Sequence, residues 1–121
     1  MILVEDYEEA FNFYEKNFFC KKISDQQMPD GQRYVHISFS ADEQTGIWFL
    51  KPNQEDHSGV GKQTWGQPTI VIYTSNIEEI YTHLIKNKVT ILGTLTSTPS
   101  SYFFHCLDLY GNRITIVQAT S

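Results

Sequence analysis

Apolar residues fall at helical spacing twice along this chain. Tyr7, Ala10, Phe11, Tyr14 and Phe18 form one stripe, and Ile77, Ile80, Tyr81 and Leu84 form another about seventy residues later. Recurrence at three- and four-residue steps puts side chains on one face of an α-helix. Each stripe follows a start signal, Asp6 with Glu9 and Asn76 with Glu79, the spacing of a capping box. Tyr14-Glu15-Lys16-Asn17 is likewise answered by Leu84-Ile85-Lys86-Asn87. Few residues are identical, yet apolar, capping and charged positions keep step. The chain reads as a duplication.

Around the helices the pattern changes to alternation. Val35, Ile37 and Phe39 are expected to point one way and Tyr34, His36 and Ser38 the other. In the first half, strands are predicted over Met1 to Glu5, Lys21 to Ser24, Arg33 to Phe39 and Gly46 to Leu50. The last of these is nearly all apolar, so both of its faces can be covered. In the second half they are predicted over Thr69 to Thr74, Val89 to Leu92, Tyr102 to Leu107 and Arg113 to Gln118. Met28-Pro29-Asp30-Gly31 and Asp108-Leu109-Tyr110-Gly111-Asn112 carry turn signals, with Gly111 supplying a positive φ. The plan is β-α-β-β-β twice over, an α+β fold. Module one covers about residues 1–53, a polar linker about 54–66, and module two about 67–121.

Size makes the two halves depend on each other. Residues 1–121 are one domain's worth, and a module of about 50 residues alone buries too little surface to be stable. The halves are therefore expected to pack together, within one chain or across a dimer. Eight Phe and seven Tyr supply an ordinary core. A net charge of −5 with no basic stripe argues against a nucleic-acid partner. The start meets acid at Glu5 and Asp6, so it does not read as a signal peptide, and no apolar run is long enough to span a membrane. A cytoplasmic protein is expected, with Cys20 and Cys106 as buried thiols rather than a disulfide.

Val4-x-Asp6 followed by Phe13-Tyr14, together with Phe104-x-Cys106-x-Asp108-x-x-Gly111-Asn112-x-Ile114, resembles the glyoxalase, bleomycin-resistance and extradiol-dioxygenase group, the vicinal oxygen chelate superfamily. The likeness extends over essentially the whole chain. Leu109 stands where that family usually has Pro, and Phe18-Phe19 where it usually has Leu-Gly; both departures concern turns. The resemblance implies curved sheets around a shared cleft, a homodimer and, in many members, a divalent ion held by about four side chains. That ion binds adjacent oxygens of the substrate and stabilises developing charge. The implied ligand positions fail here one after another. The first falls ahead of Met1, the second on Thr69, the third on Thr115, and the fourth on Trp48 or, one residue out of register, Phe49. None of these side chains is an ordinary donor to such an ion. No metal cofactor is therefore expected.

Other chemistry is thin. His36 and His105 offer two imidazoles with no acidic partner at matching spacing, and read as polar lining. His57 lies in the polar linker, and His83 sits off its helix's apolar stripe and reads as a surface residue. Gly59-Val60-Gly61-Lys62 lacks the first Gly and the final Ser or Thr of a phosphate loop, and is rejected as one. Cys106 cannot pair with His105, because adjacent strand residues point to opposite faces.

What remains is an aromatic cup. By strand parity and by the resemblance, Trp48, Thr69, Tyr73, Phe103, His105 and Thr115 are expected to line it, joined by Tyr34 and His36. Three readings stand. One is a metal-free protein that sequesters a small organic ligand, as bleomycin-resistance members do. The second is a metal-dependent lyase, isomerase or dioxygenase. The third is a non-catalytic member whose cleft is filled by its own side chains.

Overall fold

A computed structural model describes residues 1–39, 46–52 and 58–119. His57, Asp56 and part of the expected linker lie outside the described residues. The chain divides into two compact units, Met1–Gly61 and Lys62–Ser121. No helix among the described residues is long and apolar enough to cross a membrane.

In the first unit β1 (Ile2–Leu3) leads into α1 (Tyr7–Phe18), followed by β2 (Lys21–Gln27), β3 (Arg33–Ser38) and β4 (Ile47–Leu50). The sheet order is β1-β4-β3-β2, with β1 parallel to β4 and the other neighbours antiparallel. The second unit repeats this with β5 (Pro68–Tyr73), α2 (Ile77–Lys86), β6 (Ile91–Ser97), β7 (Ser101–Leu107) and β8 (Arg113–Ala119), in the order β5-β8-β7-β6. The fold is α+β, and the duplicated β-α-β-β-β plan is what the chain builds.

Both helices start as their sequences require. Glu9 N donates to Asp6 Oδ1 at 2.9 Å, and Glu79 N to Asn76 Oδ1 at 3.2 Å. Asn76 Nδ2 also donates to Glu79 Oε2 at 3.2 Å, closing the second box. Both helices end through a non-glycine residue in the left-handed region, Phe19 at φ 59 and Lys88 at φ 63. Phe19 N reaches Glu15 O at 3.0 Å and Cys20 N reaches Tyr14 O at 3.3 Å, so the last carbonyls are satisfied despite the side chain.

Each helix covers one sheet face with the expected stripe. Ala10, Phe11, Tyr14 and Phe18 are buried, and Tyr14 is in ring contact with Phe49 at 5.5 Å and Phe39 at 6.0 Å. In the second unit Ile77 and Leu84 are buried, and Tyr81 meets Phe104 edge-on at 5.0 Å. Cys20 and Cys106 are both buried and free, and burial pushes each thiol up to about 12. The Asp108 turn forms as its residues dictate. Oδ1 accepts from Tyr110 N at 2.9 Å and Asn112 N at 2.8 Å, Oδ2 accepts from Asn112 Nδ2 at 2.8 Å, and Gly111 takes φ 92.

Several boundaries differ from expectation. β1 is Ile2–Leu3 rather than residues 1–5, although Val4 N still donates to Leu50 O at 2.9 Å. β2 runs on to Gln27 because Asp25, Gln26 and Gln27 pair with Val35, Tyr34 and Arg33, which no apolar alternation announces. β6 is displaced from residues 89–92 to Ile91–Ser97. Val89 N is taken by Leu84 O at 3.0 Å in closing α2, while Thr96 and Ser97 pair with Phe103 and Tyr102 beyond a bulge that contains Gly93 at φ 72. Ser38 does not share the half-buried setting of Tyr34 and His36: it is buried, paired in register with Lys21. His83 is half-buried rather than a free surface residue, with Nε2 3.1 Å from Asn87 Nδ2.

Candidate functional site

Within module one, α1 lies over the face that carries Val35, Ile37 and Phe49. The opposite face presents Tyr34, His36 and Trp48. Antiparallel register sets His36 directly across from Trp48, their rings 6.3 Å apart and nearly perpendicular, and the Tyr34 ring lies 5.5 Å from the indole. All three are half-buried. Register also decides between the two candidates on β4. Phe49 pairs with Val35 and is fully buried on the helix side, so Trp48 is the one on the open face. The indole Nε1 is buried and has no hydrogen-bond partner among the described residues, whereas a buried Trp N–H usually finds one.

Module two builds the same face with different side chains. His105 on β7 pairs with Thr115 on β8, and Phe103 pairs with Val117. His105 Nδ1 lies 2.8 Å from Thr115 Oγ1, and the Phe103 ring meets the imidazole at 5.6 Å. Burial, reinforced by the charge of Arg113, holds the imidazole below its ordinary value, so His105 is neutral near pH 7. The threonine hydroxyl fixes the ring and leaves Nε2 as the nitrogen for other partners. Val71 and Tyr73 on β5 share this face through their pairing with Thr115 and Val117, and Tyr73 is 75% exposed. Thr115 is only 8% exposed, so its hydroxyl serves His105 more than the surface. Thr69 is engaged elsewhere, its Oγ1 3.2 Å from Thr64 Oγ1.

Seven of the eight residues read from the sequence thus share a sheet face with others of the set, three in module one and four in module two, while Thr69 bonds Thr64 instead. Tyr34, His36 and Trp48 share the helix-free face of module one, and Phe103, His105, Thr115 and Tyr73 that of module two. Neutral hydroxyls at Thr69 and Thr115 and an indole at Trp48 do not fit a divalent ion. Among the described residues no three His, Cys, Asp or Glu side chains group closely enough to hold one.

A feature that sequence reading missed lies at one corner of module one. A recess of about 630 Å³ is lined by Leu3, Tyr7, Asp30, Gly31, Gln32, Arg33, Leu50, Lys51 and Pro52. Tyr7 holds its wall together: its hydroxyl accepts from Lys51 N at 3.0 Å and donates to Arg33 O at 3.2 Å. The Arg33 guanidinium lies 5.2 Å over the Tyr7 ring. It bonds Asp25 at 2.8 and 2.7 Å and Glu8 at 2.6 Å. The Arg33 bond holds the Asp25 carboxyl well below the usual carboxylate range. The sole signal in the sequence was Tyr7, a polar-tipped ring at the first position of an otherwise apolar helical stripe.

Two β-α-β-β-β modules, each with a helix on one sheet face and aromatic residues on the other, define a scaffold of the vicinal oxygen chelate class. The chain belongs to the Glyoxalase/Bleomycin resistance protein/Dioxygenase superfamily, whose sequence profile matches residues 1–116. No curated protein is a significant sequence match. Among solved structures the chain is similar to TnmS3, an antibiotic binding protein from Streptomyces sp. CB03234, at 19% identity and a TM-score of 0.80 over 98% of this chain and 91% of that one. It is similar to a superfamily member from Sphaerobacter thermophilus DSM 20745 at 22% identity and a TM-score of 0.71, covering 97% and 91%. It is also similar to the fosfomycin resistance protein FosX from Listeria monocytogenes at 10% identity and a TM-score of 0.70, covering 98% and 88%. At these identities the likeness shows the fold.

Proposed function

We propose that this chain binds a small organic molecule on a module's open sheet face and holds it without converting it, with no metal taking part. The observation that carries this reading is the composition of those faces. Their equivalent positions hold rings and neutral hydrogen-bonding groups, where a catalytic ion would need imidazoles and carboxylates together. Apolar walls with a few placed polar groups suit a compact organic ligand. A neutral His105, steadied by Thr115, offers one hydrogen bond without setting a charge against an uncharged ligand. Support also comes from the relatives, since TnmS3 is an antibiotic binding protein and FosX a fosfomycin resistance protein.

The test is the melting temperature of EDTA-treated protein with and without Ni, Zn, Mn and Fe(II), followed by a small-molecule screen read by tryptophan fluorescence in a Trp65→Phe background. A native metal site filled at a hundredfold excess over its Kd would stabilise the fold by about 2.7 kcal/mol. No metal is expected to raise the melting temperature, and planar aromatic compounds are expected to raise it while quenching Trp48. A clear rise with any metal would overturn the metal-free reading and make His36 and His105 the first residues to replace.

A further inference from the structure

We propose that the corner recess of module one is a second ligand site, separate from the open sheet faces, that accepts a small amphipathic anion such as an aryl carboxylate. All of its walls come from that module: the ends of β1 and β4, the start of α1, and the β2–β3 turn with the first residue of β3. At about 630 Å³ it is in the size range of small-molecule pockets.

The corresponding corner of module two shows what makes the recess. Val4 N donates to Leu50 O at 2.9 Å, and Thr74 N to Val117 O at 2.9 Å. These matching bonds make Lys51 and Gln118 equivalent, as Tyr7 and Ile77 are equivalent at the helix starts. In module two Gln118 turns inward, its Oε1 accepting from Ile77 N at 2.6 Å. In module one the strand end and the helix are bridged instead by the Tyr7 hydroxyl, which uses the main chain of Lys51 rather than its side chain.

Charge on the walls selects the ligand. Arg33 is paired with Asp25 and Glu8 through Nε and Nη2. Asp30 serves its own turn, Oδ1 accepting from Gln32 N at 2.9 Å. Lys51 enters no ion pair among the described residues. An anionic head therefore meets Lys51, with the Gln32 amide beside it, and an apolar body lies on Leu3, Leu50, Pro52 and the Tyr7 ring. The Tyr7 bonds and the Arg33 cluster fix the wall beforehand, so little ordering is required on binding.

Titration of the full ¹⁵N-labelled chain with 2-naphthoate, and with 2-naphthalenemethanol as its uncharged counterpart, tests this by amide and indole chemical shifts. Naphthoate is expected to move the amides of residues 3, 7, 30–33 and 50–51 while leaving the Trp48 indole and the His105 amide in place. Lys51→Met, an exposed change that leaves the Tyr7 bonds intact, is expected to weaken naphthoate about fivefold and leave the alcohol unaffected. Added salt weakens naphthoate in wild type only. The inference is overturned if the shifts map to Tyr34, His36 and Trp48, if Lys51→Met binds naphthoate unchanged, or if neither probe binds at millimolar concentration. The first of those outcomes would favour the open-face reading above, and the other two leave it standing.

Discussion

The two modules share a backbone plan and differ in the side chain set across from one histidine. His36 pairs with Trp48, and His105 pairs with Thr115. In module two the hydroxyl is small enough to reach Nδ1 at 2.8 Å and is buried in doing so. In module one an indole lies 5.5 Å from the Tyr34 ring and its buried N–H has no partner among the described residues. Duplication preserved register and the imidazole; the cross-strand partner decided whether that imidazole is fixed by a hydrogen bond or packed against rings. The same lesson holds at the corners, where Gln118 covers a helix start and Lys51 leaves one open.

The largest way to stress this comparison is in the cores. Tyr14→Ala is expected to cost about 3–5 kcal/mol, since the ring is fully buried against Phe18, Phe39 and Phe49. Its counterpart Leu84→Ala removes a smaller buried side chain and is expected to fall nearer 2–3 kcal/mol, roughly the lower part of the range for such truncations. Urea midpoints measure both, and equal losses would mean that Tyr14's ring contacts add nothing.

An opposite sign is expected at the helix ends. Phe19→Gly and Lys88→Gly each relieve a side chain in the left-handed region and should each stabilise by about 1 kcal/mol. Phe19 is 67% exposed. Thermal melts of the two variants check this, and a fall in melting temperature for Phe19→Gly alone would show that its ring makes contacts that matter.

The smallest effect is a pH dependence in module two. Burial favours neutral His105 in the folded chain, so the unfolded chain takes up the proton first as pH falls. The stabilisation is complete above the unfolded value of about 6.5 and declines as pH drops through it towards the lower folded value. His105→Gln should flatten the stability profile between roughly pH 7 and pH 5. An unchanged slope in that variant would assign the dependence to another group.

Local rules made much of the fold legible. Asp6 and Asn76 announced both helices because a capping side chain acts on backbone three residues away. Asp108 and Gly111 announced a turn for the same reason. Parity placed Tyr34 with His36 and Phe103 with His105, since alternation along a strand needs no knowledge of the partner strand. Legibility stopped where residues far apart in sequence decide. The polar stretch Asp25-Gln26-Gln27 is strand because β3 pairs with it, and Thr96-Ser97 because β7 does. The choice of Trp48 over Phe49 needed the register against Val35 and His36.

The sequence by itself determined a duplicated β-α-β-β-β chain of an identifiable family, the caps and turns, and which residues share a strand face. All of these rest on periods of 3.6 and two and on contacts a few residues long. Only the tertiary structure decided that Thr115 is held by His105, that Trp48 Nε1 is buried with no partner among the described residues, and that Tyr7, Arg33 and Lys51 enclose a recess. Tyr7 and Lys51 are forty-four positions apart in the chain and meet through one hydroxyl. No local pattern encodes such a meeting, because it exists only once β1 has paired with β4 and α1 has packed against the sheet.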